Sequence, residues 1–470
     1  MPRLVRTIAL APLVLGACSS EPEPEPVFAL YGAQAFTRLT PYPSNRYTKA
    51  DPTSKTGRRV DIGTATTADA FVADPTFAGT VAALNRLDGF STVGPLIVGF
   101  SKEIDETTAD GSVALVDVDD ASPNKGKAMP VFTLYFTTTD TESLVEDYTL
   151  LVHPVEPLRP RTRYAFVVTN GIKAKTGPSI SATGEMRALL RDEPGEYAES
   201  VRAALPLVAS GAGIERDAIV LASVFTTEPV RDVIEAMASD RRAAPPPKLA
   251  SPFTLRTKPE GAEKRARFVG SYEAAEYRRP KPDGTFDVAN DRATPQSTVA
   301  LETYLDFADA TRSGPRPIVI YGHGLGGDKD GAWGTADRLK DLDVAVIAID
   351  APEHGSRSDP PTPDGKSDVL RSVTGFFAAN PDTKKFDMER VRDNFRQMAL
   401  DQLELVRLIG TLGTLDVLPI GAPDGIPDLD PSRILYLGHS FGSVLGPTVG
   451  ALAPRSKPRA GTSVAMASLR

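Results

Sequence analysis

The chain has 470 residues, a formal net charge of −8 and a single cysteine. This length predicts two or three domains, and 41% hydrophobic with 24% charged residues is typical of a globular chain. An acidic chain without a basic block gives no electrostatic reason to bind nucleic acid. One cysteine excludes an intrachain disulfide, and no stretch after the N-terminus approaches the roughly 20 apolar residues needed to cross a bilayer.

The N-terminal residues have the pattern of a secretory signal. Arg3 and Arg6 precede an apolar run at residues 8–15 that is too short to cross a membrane. The segment Leu15-Gly16-Ala17-Cys18 resembles the lipobox of bacterial lipoproteins and contains the cysteine of the chain. The resemblance implies a lipoprotein signal peptide at residues 1–18, cut in front of Cys18, and a diacylglycerol on the Cys18 thiol. An ordinary signal peptide that contains a cysteine is the alternative.

Residues 19–29 follow as a tether in which Glu and Pro alternate, a composition that repels itself and favours an extended chain. Ser19 is not the aspartate that favours retention in the inner membrane in well-studied lipoproteins. We therefore expect a protein of the cell envelope that is lipid-anchored in the outer membrane. The side of the membrane that the domains face is left open.

The front half has the pattern of a β-sandwich. Short β-patterned runs separated by turn signals occur at residues 95–100, 112–118, 131–136, 148–152 and 164–168. Residues 158–164 and 169–172 resemble the end of bacterial Ig-like domains, and residues 41–47 with 89–92 resemble the N-terminal domain of virulence-factor-type surface lipases. We predict an Ig-like domain at 30–181, with His153 as a strand-edge residue, and a helical connector at 182–250.

Residues 251–470 change to alternating strands and helices after a polar stretch at about 255–296. The apolar runs at 318–321 and 344–349 are typical of strands buried on both faces. Helical spacing follows at 332–342 and at 391–409, with Asp387 as a plausible N-cap. The alternation predicts a doubly wound, mostly parallel sheet.

Two glycine-rich motifs carry the chemistry of this half. An apolar strand at 434–437 runs directly into Gly438-x-Ser440-x-Gly442, which predicts a nucleophile elbow, a serine on a strand-to-helix turn. The second motif, Gly-His-Gly-Leu-Gly-Gly at 322–327, follows an earlier strand. A glycine-rich turn of a nucleotide binder is the alternative, but no G-x-G-x-x-G follows a first strand.

Together these motifs resemble the α/β-hydrolase superfamily from about residue 301 to 470. The resemblance implies Ser440 as the nucleophile and the backbone N–H groups of Leu325 and Phe441 as the oxyanion hole. The supporting residues of the two motifs are His323, Gly324, Gly438, His439 and Gly442. The predicted fold is thus an N-terminal all-β Ig-like sandwich followed by a partial α/β-hydrolase.

The catalytic acid and base are the missing part of this prediction. In the superfamily they follow the serine in chain order, on loops after later strands. Here one strand pattern follows, at 463–468, so we expect a C-terminally truncated hydrolase. His354, on the loop after a strand, could line the pocket or replace the base. A serine without its base retains only residual catalysis.

We therefore expect a serine hydrolase of carboxylic esters, lipase-like or esterase-like, with lysophospholipid as one candidate substrate, that is inactive as this chain. The alternative is a non-catalytic surface lipoprotein that binds or adheres through its Ig-like half. The expected partners are an ester substrate and the membrane. We expect neither cofactor nor metal, because the acidic residues at 424–430 lack the ordered oxygen ligands of a calcium loop and are better explained as a turn.

Overall fold

The computed structural model describes residues 25–32, 39–63, 78–139, 146–362, 364–380, 385–453 and 463–469. Cys18 and the predicted signal peptide lie outside these ranges. None of the helices in the described ranges combines the length and the apolar character that crossing a bilayer requires.

Short strands outnumber helices among the described residues. The strands, in chain order, are Phe28–Ala29 (β1), Thr48–Ala50 (β2), Arg58–Val60 (β3), Leu96–Phe100 (β4), Ile104–Asp105 (β5), Val113–Asp117 (β6), Ala128–Met129 (β7), Val131–Thr139 (β8), Glu146–Pro154 (β9), Arg163–Thr169 (β10), Lys173–Ala174 (β11), Ser181–Ala182 (β12), Ile219–Thr226 (β13), Leu249–Thr257 (β14), Ala266–Glu276 (β15), Val288–Ala289 (β16), Arg292–Ala293 (β17), Ser297–Phe307 (β18), Arg316–Gly322 (β19), Ala345–Ile349 (β20), Ala379–Asn380 (β21), Lys385–Phe386 (β22), Leu429–His439 (β23) and Ser463–Leu469 (β24). The α-helices are Ala78–Leu84 (α1), Gly184–Arg191 (α2), Glu196–Ala212 (α3), Asp232–Ala243 (α4), Ala332–Arg338 (α5), Val369–Phe376 (α6), Met388–Ile409 (α7) and Phe441–Leu452 (α8).

The chain divides into two units. The first comprises Met1–Arg46, Val93–Leu158 and Thr162–Thr226. It contains a sheet in the order β12-β1-β4-β9-β8 and a second in the order β13-β10-β6-β7. The strands β4, β6, β8, β9 and β10 cover the five β-patterned runs of the sequence, so those strand predictions are confirmed. The Ig-like resemblance of this unit stays a prediction.

The division differs from the predicted domain boundaries in two places. The predicted connector at 182–250 is split, because α2, α3 and β13 belong to the first unit. The physical reason is that β13 is a buried strand that pairs antiparallel with β10 and thereby extends the sheet. The segment Tyr47–Thr92, which we assigned to the β domain, belongs to the second unit together with Arg159–Arg161 and Thr227–Arg470.

The second unit is built on one sheet in the order β14-β15-β18-β20-β19-β23-β24. The pairs β20–β19, β19–β23 and β23–β24 are parallel, whereas β14, β15 and β18 pair with antiparallel neighbours. The prediction of a mostly parallel sheet was therefore too broad. The strand β15 lies within the stretch at about 255–296 that we interpreted as polar, and β14 ends inside it. The parallel half carries both glycine-rich motifs.

Helices cover both faces of this sheet, as a doubly wound arrangement requires. Alternate residues of the central strands point to opposite sides: Ile318 and Ile320 of β19 join one core cluster, and Val319 and Tyr321 join another. The first cluster includes residues of α4, α7 and α8, and the second includes Ala332 and Ala336 of α5. Asp387 caps α7 as predicted, since its side chain accepts from the backbone N–H groups of Glu389 and Arg390.

Candidate active site

Ser440 lies at the junction between β23 and α8. Its backbone has φ 48° and ψ −112°, a conformation that residues with a side chain rarely adopt. Such strain, of order 1–3 kcal/mol, persists only where the surroundings impose it, and it is concentrated at functional sites. The side chain is exposed, and the next residue, Phe441, begins the buried face of α8. The predicted strand, turn and helix are therefore all present.

The turn depends on glycines because three backbone segments approach closely here. A Cβ on Gly442 would lie 2.1 Å from the carbonyl oxygen of Gly322, and a Cβ on Gly438 would lie 2.5 Å from the backbone of Gly442 and Ser443. Gly322 and Gly438 are register partners in the parallel pair β19–β23. The phenol of Tyr436 donates to the carbonyl of Gly442 at 3.0 Å. These contacts hold the serine turn against the end of β19.

The second motif forms the loop that leaves β19. The N–H of Gly327 donates to the carbonyl of Gly324 at 2.9 Å, which closes a turn around Leu325. Gly326 in this turn has φ 74°, a conformation that favours glycine. Gly324 packs beside the exposed His439, because a Cβ there would stand 3.0 Å from His439 Nδ1. The loop and the serine turn thus lie next to each other at the carboxyl edge of the parallel strands.

Two backbone N–H groups at this edge are the predicted oxyanion-hole donors. Phe441 is the first residue of α8, where N–H groups have no intrahelical acceptor and the helix dipole favours negative charge. Leu325 lies at the tip of the turn, with its side chain packed against the core of the second unit. The supporting residues Gly324, Gly438, His439 and Gly442 lie in the same two segments, and Gly324 lies beside His439. The catalytic role of each of these residues stays a prediction.

His323 and His354 are buried and connect the loops after β19 and β20. His323 contacts the Gly324 carbonyl through Nδ1 at 2.9 Å and the Ala351 N–H through Nε2 at 3.0 Å. His354 contacts the Pro352 carbonyl through Nδ1 at 2.8 Å and the Gly326 N–H through Nε2 at 3.1 Å. A carbonyl only accepts and an N–H only donates, so each ring is neutral with its proton on Nδ1.

The charges around the two rings agree with neutral imidazoles. Burial lowers the pKa of His323, against the Gly324 carbonyl and the carboxylates of Asp350 and Asp328. Burial and then the neighbouring His323 lower the pKa of His354 to about 4, against the Pro352 carbonyl and the carboxylates of Asp350 and Glu353. Both ring nitrogens of His354 are already hydrogen-bonded to backbone groups. This geometry does not fit the expectation that His354 could replace the catalytic base.

A network of buried ion pairs adjoins the same loops, and no sequence pattern predicted it. Lys329 Nζ lies 2.5 Å from Asp350 Oδ2 and 3.0 Å from Glu302 Oε1. Burial would lower the pKa of Lys329, but the carboxylates of Asp350 and Glu302 outweigh it and raise the pKa, which favours the charged amine. The Glu353 carboxylate accepts from Arg278 at 3.0 Å and from Lys281 at 2.7 Å.

The remaining predicted residues lie away from the serine. His153 is on β9 in the first unit, where its ring stacks on Phe132 at 4.9 Å. Within residues 424–430, Asp424 accepts from the Ile426 N–H two residues on, which is an Asx-turn. Asp428 accepts from the N–H groups of Val417 and Leu418 and so binds the preceding loop segment. No histidine nitrogen in the described ranges is hydrogen-bonded to the Ser440 hydroxyl.

Comparison with known proteins gives structural neighbours only. No known protein family and no curated protein matches the chain. An acetyl xylan esterase from Paenibacillus sp. matches with a TM-score of 0.30 and 15% identity, over 48% of this chain and 56% of that one. Acetyl xylan esterase 1 from Thermoanaerobacterium sp. matches with a TM-score of 0.28 and 15% identity, over 48% of this chain and 56% of that one. A dienelactone hydrolase-like promiscuous phosphotriesterase from metagenomic libraries matches with a TM-score of 0.21 and 21% identity, over 32% of this chain and 48% of that one.

This chain spans about half the length of these solved structures. All three are hydrolases by description, and the first two are esterases. The strand order of the second unit and its serine turn fit an α/β-hydrolase fold, in which the nucleophile stands on a turn between a strand and a helix.

Proposed function

We propose that the protein is a serine hydrolase of carboxylic esters, with Ser440 as the nucleophile. The observation that carries the proposal is the strained backbone of Ser440 at the start of α8, held beside the loop after β19. In such a turn the hydroxyl stands free above the sheet, where an ester carbonyl can approach it.

The reaction would proceed through an acyl-enzyme. The Ser440 oxygen attacks the ester carbonyl carbon while a general base takes the hydroxyl proton, and the carbonyl oxygen becomes negative. The N–H groups of Leu325 and Phe441 would stabilise that oxygen. Collapse of the tetrahedral intermediate releases the alcohol with a proton, and water then hydrolyses the acyl-serine. His323 and His354 are unsuited as the base, because both nitrogens of each ring are already hydrogen-bonded.

The class of ester rests on resemblance alone. The resemblance to surface lipases favours lipid esters, including lysophospholipid, whereas no described residue shows which acyl chain is selected. We therefore propose ester hydrolysis as the reaction and lipid as the first substrate class to examine.

A fluorophosphonate probe tests the nucleophile directly. In contrast to the inactivity expected from the sequence, an activated serine would be labelled covalently at Ser440, identified by peptide mass spectrometry, and would lose the label in Ser440→Ala. Ser432→Ala is the matched control, because Ser432 is exposed and its hydroxyl donates to Asp430, two residues earlier in the chain. Labelling at another residue, or none in the folded wild type, would contradict an activated serine and favour the surface-binding alternative.

We also propose that Cys18 carries a lipid and anchors the protein in the outer membrane. The support is the sequence pattern around Cys18, which lies outside the described residues. Intact mass of the protein extracted from membranes tests this, since a diacylglycerol adds mass that Cys18→Ser abolishes. An unmodified mature protein in the soluble fraction would contradict the anchor.

A further inference from the structure

We propose that His323 and His354 are a matched pair of positioning residues that orient the Leu325 N–H from both sides. The proposal rests on the proposed function, in which that N–H belongs to the oxyanion hole. It is carried by four hydrogen bonds of the two rings. Two of them join the loop after β19 to the loop after β20, and the other two hold each ring within its own loop.

The first ring controls the peptide unit that contains the Leu325 N–H. That unit also contains the Gly324 carbonyl, and in a planar trans peptide the two groups point in opposite directions. The Gly324 carbonyl accepts from His323 Nδ1 at 2.9 Å and from the Gly327 N–H at 2.9 Å. With the carbonyl held by two donors, the direction of the Leu325 N–H is determined.

The second ring controls the next peptide unit. The Gly326 N–H donates to His354 Nε2 at 3.1 Å, and this fixes the Leu325 carbonyl, which shares its peptide plane. Both peptide units that flank the Leu325 Cα are therefore held by imidazole rings. Neither unit can flip without breaking a buried hydrogen bond.

The two rings are anchored in a reciprocal way. His323 belongs to the first loop and accepts from Ala351 of the second, and His354 belongs to the second and accepts from Gly326 of the first. The ring centroids lie 5.1 Å apart, and the side chains are 2% and 0% exposed. A proton on either Nε2 would remove one acceptor, so the arrangement requires two neutral rings.

Nuclear magnetic resonance of the full chain labelled with [¹⁵N]histidine tests the pair without relying on activity. We expect His323 and His354 to show the neutral Nδ1–H form at pH 7, with assignments from single His→Gln variants. A Nε2–H form or a charged ring at either position would overturn the proposal, whatever the outcome of the fluorophosphonate experiment.

Two variants of His354 separate positioning from simple packing. His354→Phe keeps an aromatic ring against Phe376 and Phe441 but has no acceptor for the Gly326 N–H. His354→Gln can place its Oε1 where Nε2 lies. In a chain that hydrolyses p-nitrophenyl acetate, we expect the Phe variant to lower kcat about 100-fold and to leave KM nearly unchanged. A fall in kcat of this size is usual when one oxyanion-hole donor is lost.

We expect the Gln variant to recover most of that kcat. Equal kcat values for the two folded variants would contradict the positioning role. If the wild type neither labels nor hydrolyses, the proposed function fails, and the protonation states of the two rings still decide whether the pair exists.

Discussion

Replacement of Gly442 by alanine tests whether the serine turn is as tightly packed as the structure shows. The added Cβ would stand 2.1 Å from the Gly322 oxygen and 2.5 Å from the Gly322 carbonyl carbon. Ordinary contact begins at 3.4 Å, so the helix and the strand would have to move apart to accommodate the methyl group. Both atoms belong to the backbone of β19, which is paired on both sides and cannot move as a side chain would.

The expected cost follows from two opposing effects. Overpacking a rigid site typically costs about 1–3 kcal/mol, and a clash with backbone atoms belongs at or above the upper end of that range. Alanine is about 1 kcal/mol better than glycine within a helix, which offsets part of the cost. We expect Gly442→Ala to lower the free energy of unfolding by about 2 kcal/mol and to slow fluorophosphonate labelling of Ser440.

Urea unfolding followed by tryptophan fluorescence measures this effect in the relevant unit. The sequence contains one tryptophan, Trp333, and it lies in α5 of the second unit. Gly334→Ala is the matched control, because its Cβ would meet only the end of Arg338 at 3.9 Å, and we expect it to stabilise by about 0.5–1 kcal/mol. If Gly442→Ala unfolded at the wild-type urea concentration or above, the close approach of α8 to β19 would be refuted.

Two further predictions concern buried charge and pH. Arg278→Met removes the shared partner of the Glu276 and Glu353 carboxylates, while Lys281 still pairs with Glu353 and Arg357 with Glu276. We therefore expect a loss of about 1–3 kcal/mol by urea unfolding, and no measurable loss would contradict the pairing. For His354, folding lowers the ring pKa from 6.5 to about 4, so the unfolded ring binds a proton in that interval and the folded ring does not. Stability should therefore fall by about 3 kcal/mol from pH 7 to pH 4, and His354→Gln should remove this part of the pH dependence.

The central strands and the longest helix could be predicted because local pattern determines them. Continuous apolar runs at 318–321, 344–349 and 434–437 became β19, β20 and β23, and the spacing at 391–409 became α7. The first two runs are buried on both faces and α7 along one stripe, while the third run is buried apart from Leu435, so their sequences carry a strong signal. The serine turn was predictable for the same reason, since an unmistakable strand leads into it.

The strand β15 was missed although its pattern is also regular. Ala266, Phe268, Gly270, Tyr272 and Ala274 are buried, and from Val269 onward the residues between them are more exposed, as in a strand with one buried face; Arg267 is itself buried. Glutamate and arginine at the intervening positions made the segment look polar as a whole. The average composition of the segment therefore hid the alternation of buried and exposed residues in β15. As a result, the antiparallel half of the sheet was not predicted.

The pairing of His323 with His354 required topology that the local sequence does not contain. Each histidine precedes a glycine and follows a parallel strand, but only the adjacency of β19 and β20 brings the loops together. Carboxyl ends of neighbouring parallel strands lie at one edge of a sheet, so the repeated His-Gly pattern was a usable signal once those two strands were paired. Glu353 and Arg278 gave no such signal, because β15 had not been recognised.

The strain at Ser440 is sustained by the elements on either side of it. Leu445, Val449 and Leu452 of α8 are buried, and each such side chain contributes about 1.5–3 kcal/mol on leaving water. Their sum exceeds the roughly 1–3 kcal/mol that one strained residue costs. Because β23 is paired on both sides, the turn cannot relax by shifting either neighbour. The position of the nucleophile is therefore a consequence of core packing, and changes to α8 should alter Ser440 reactivity before they alter the fold.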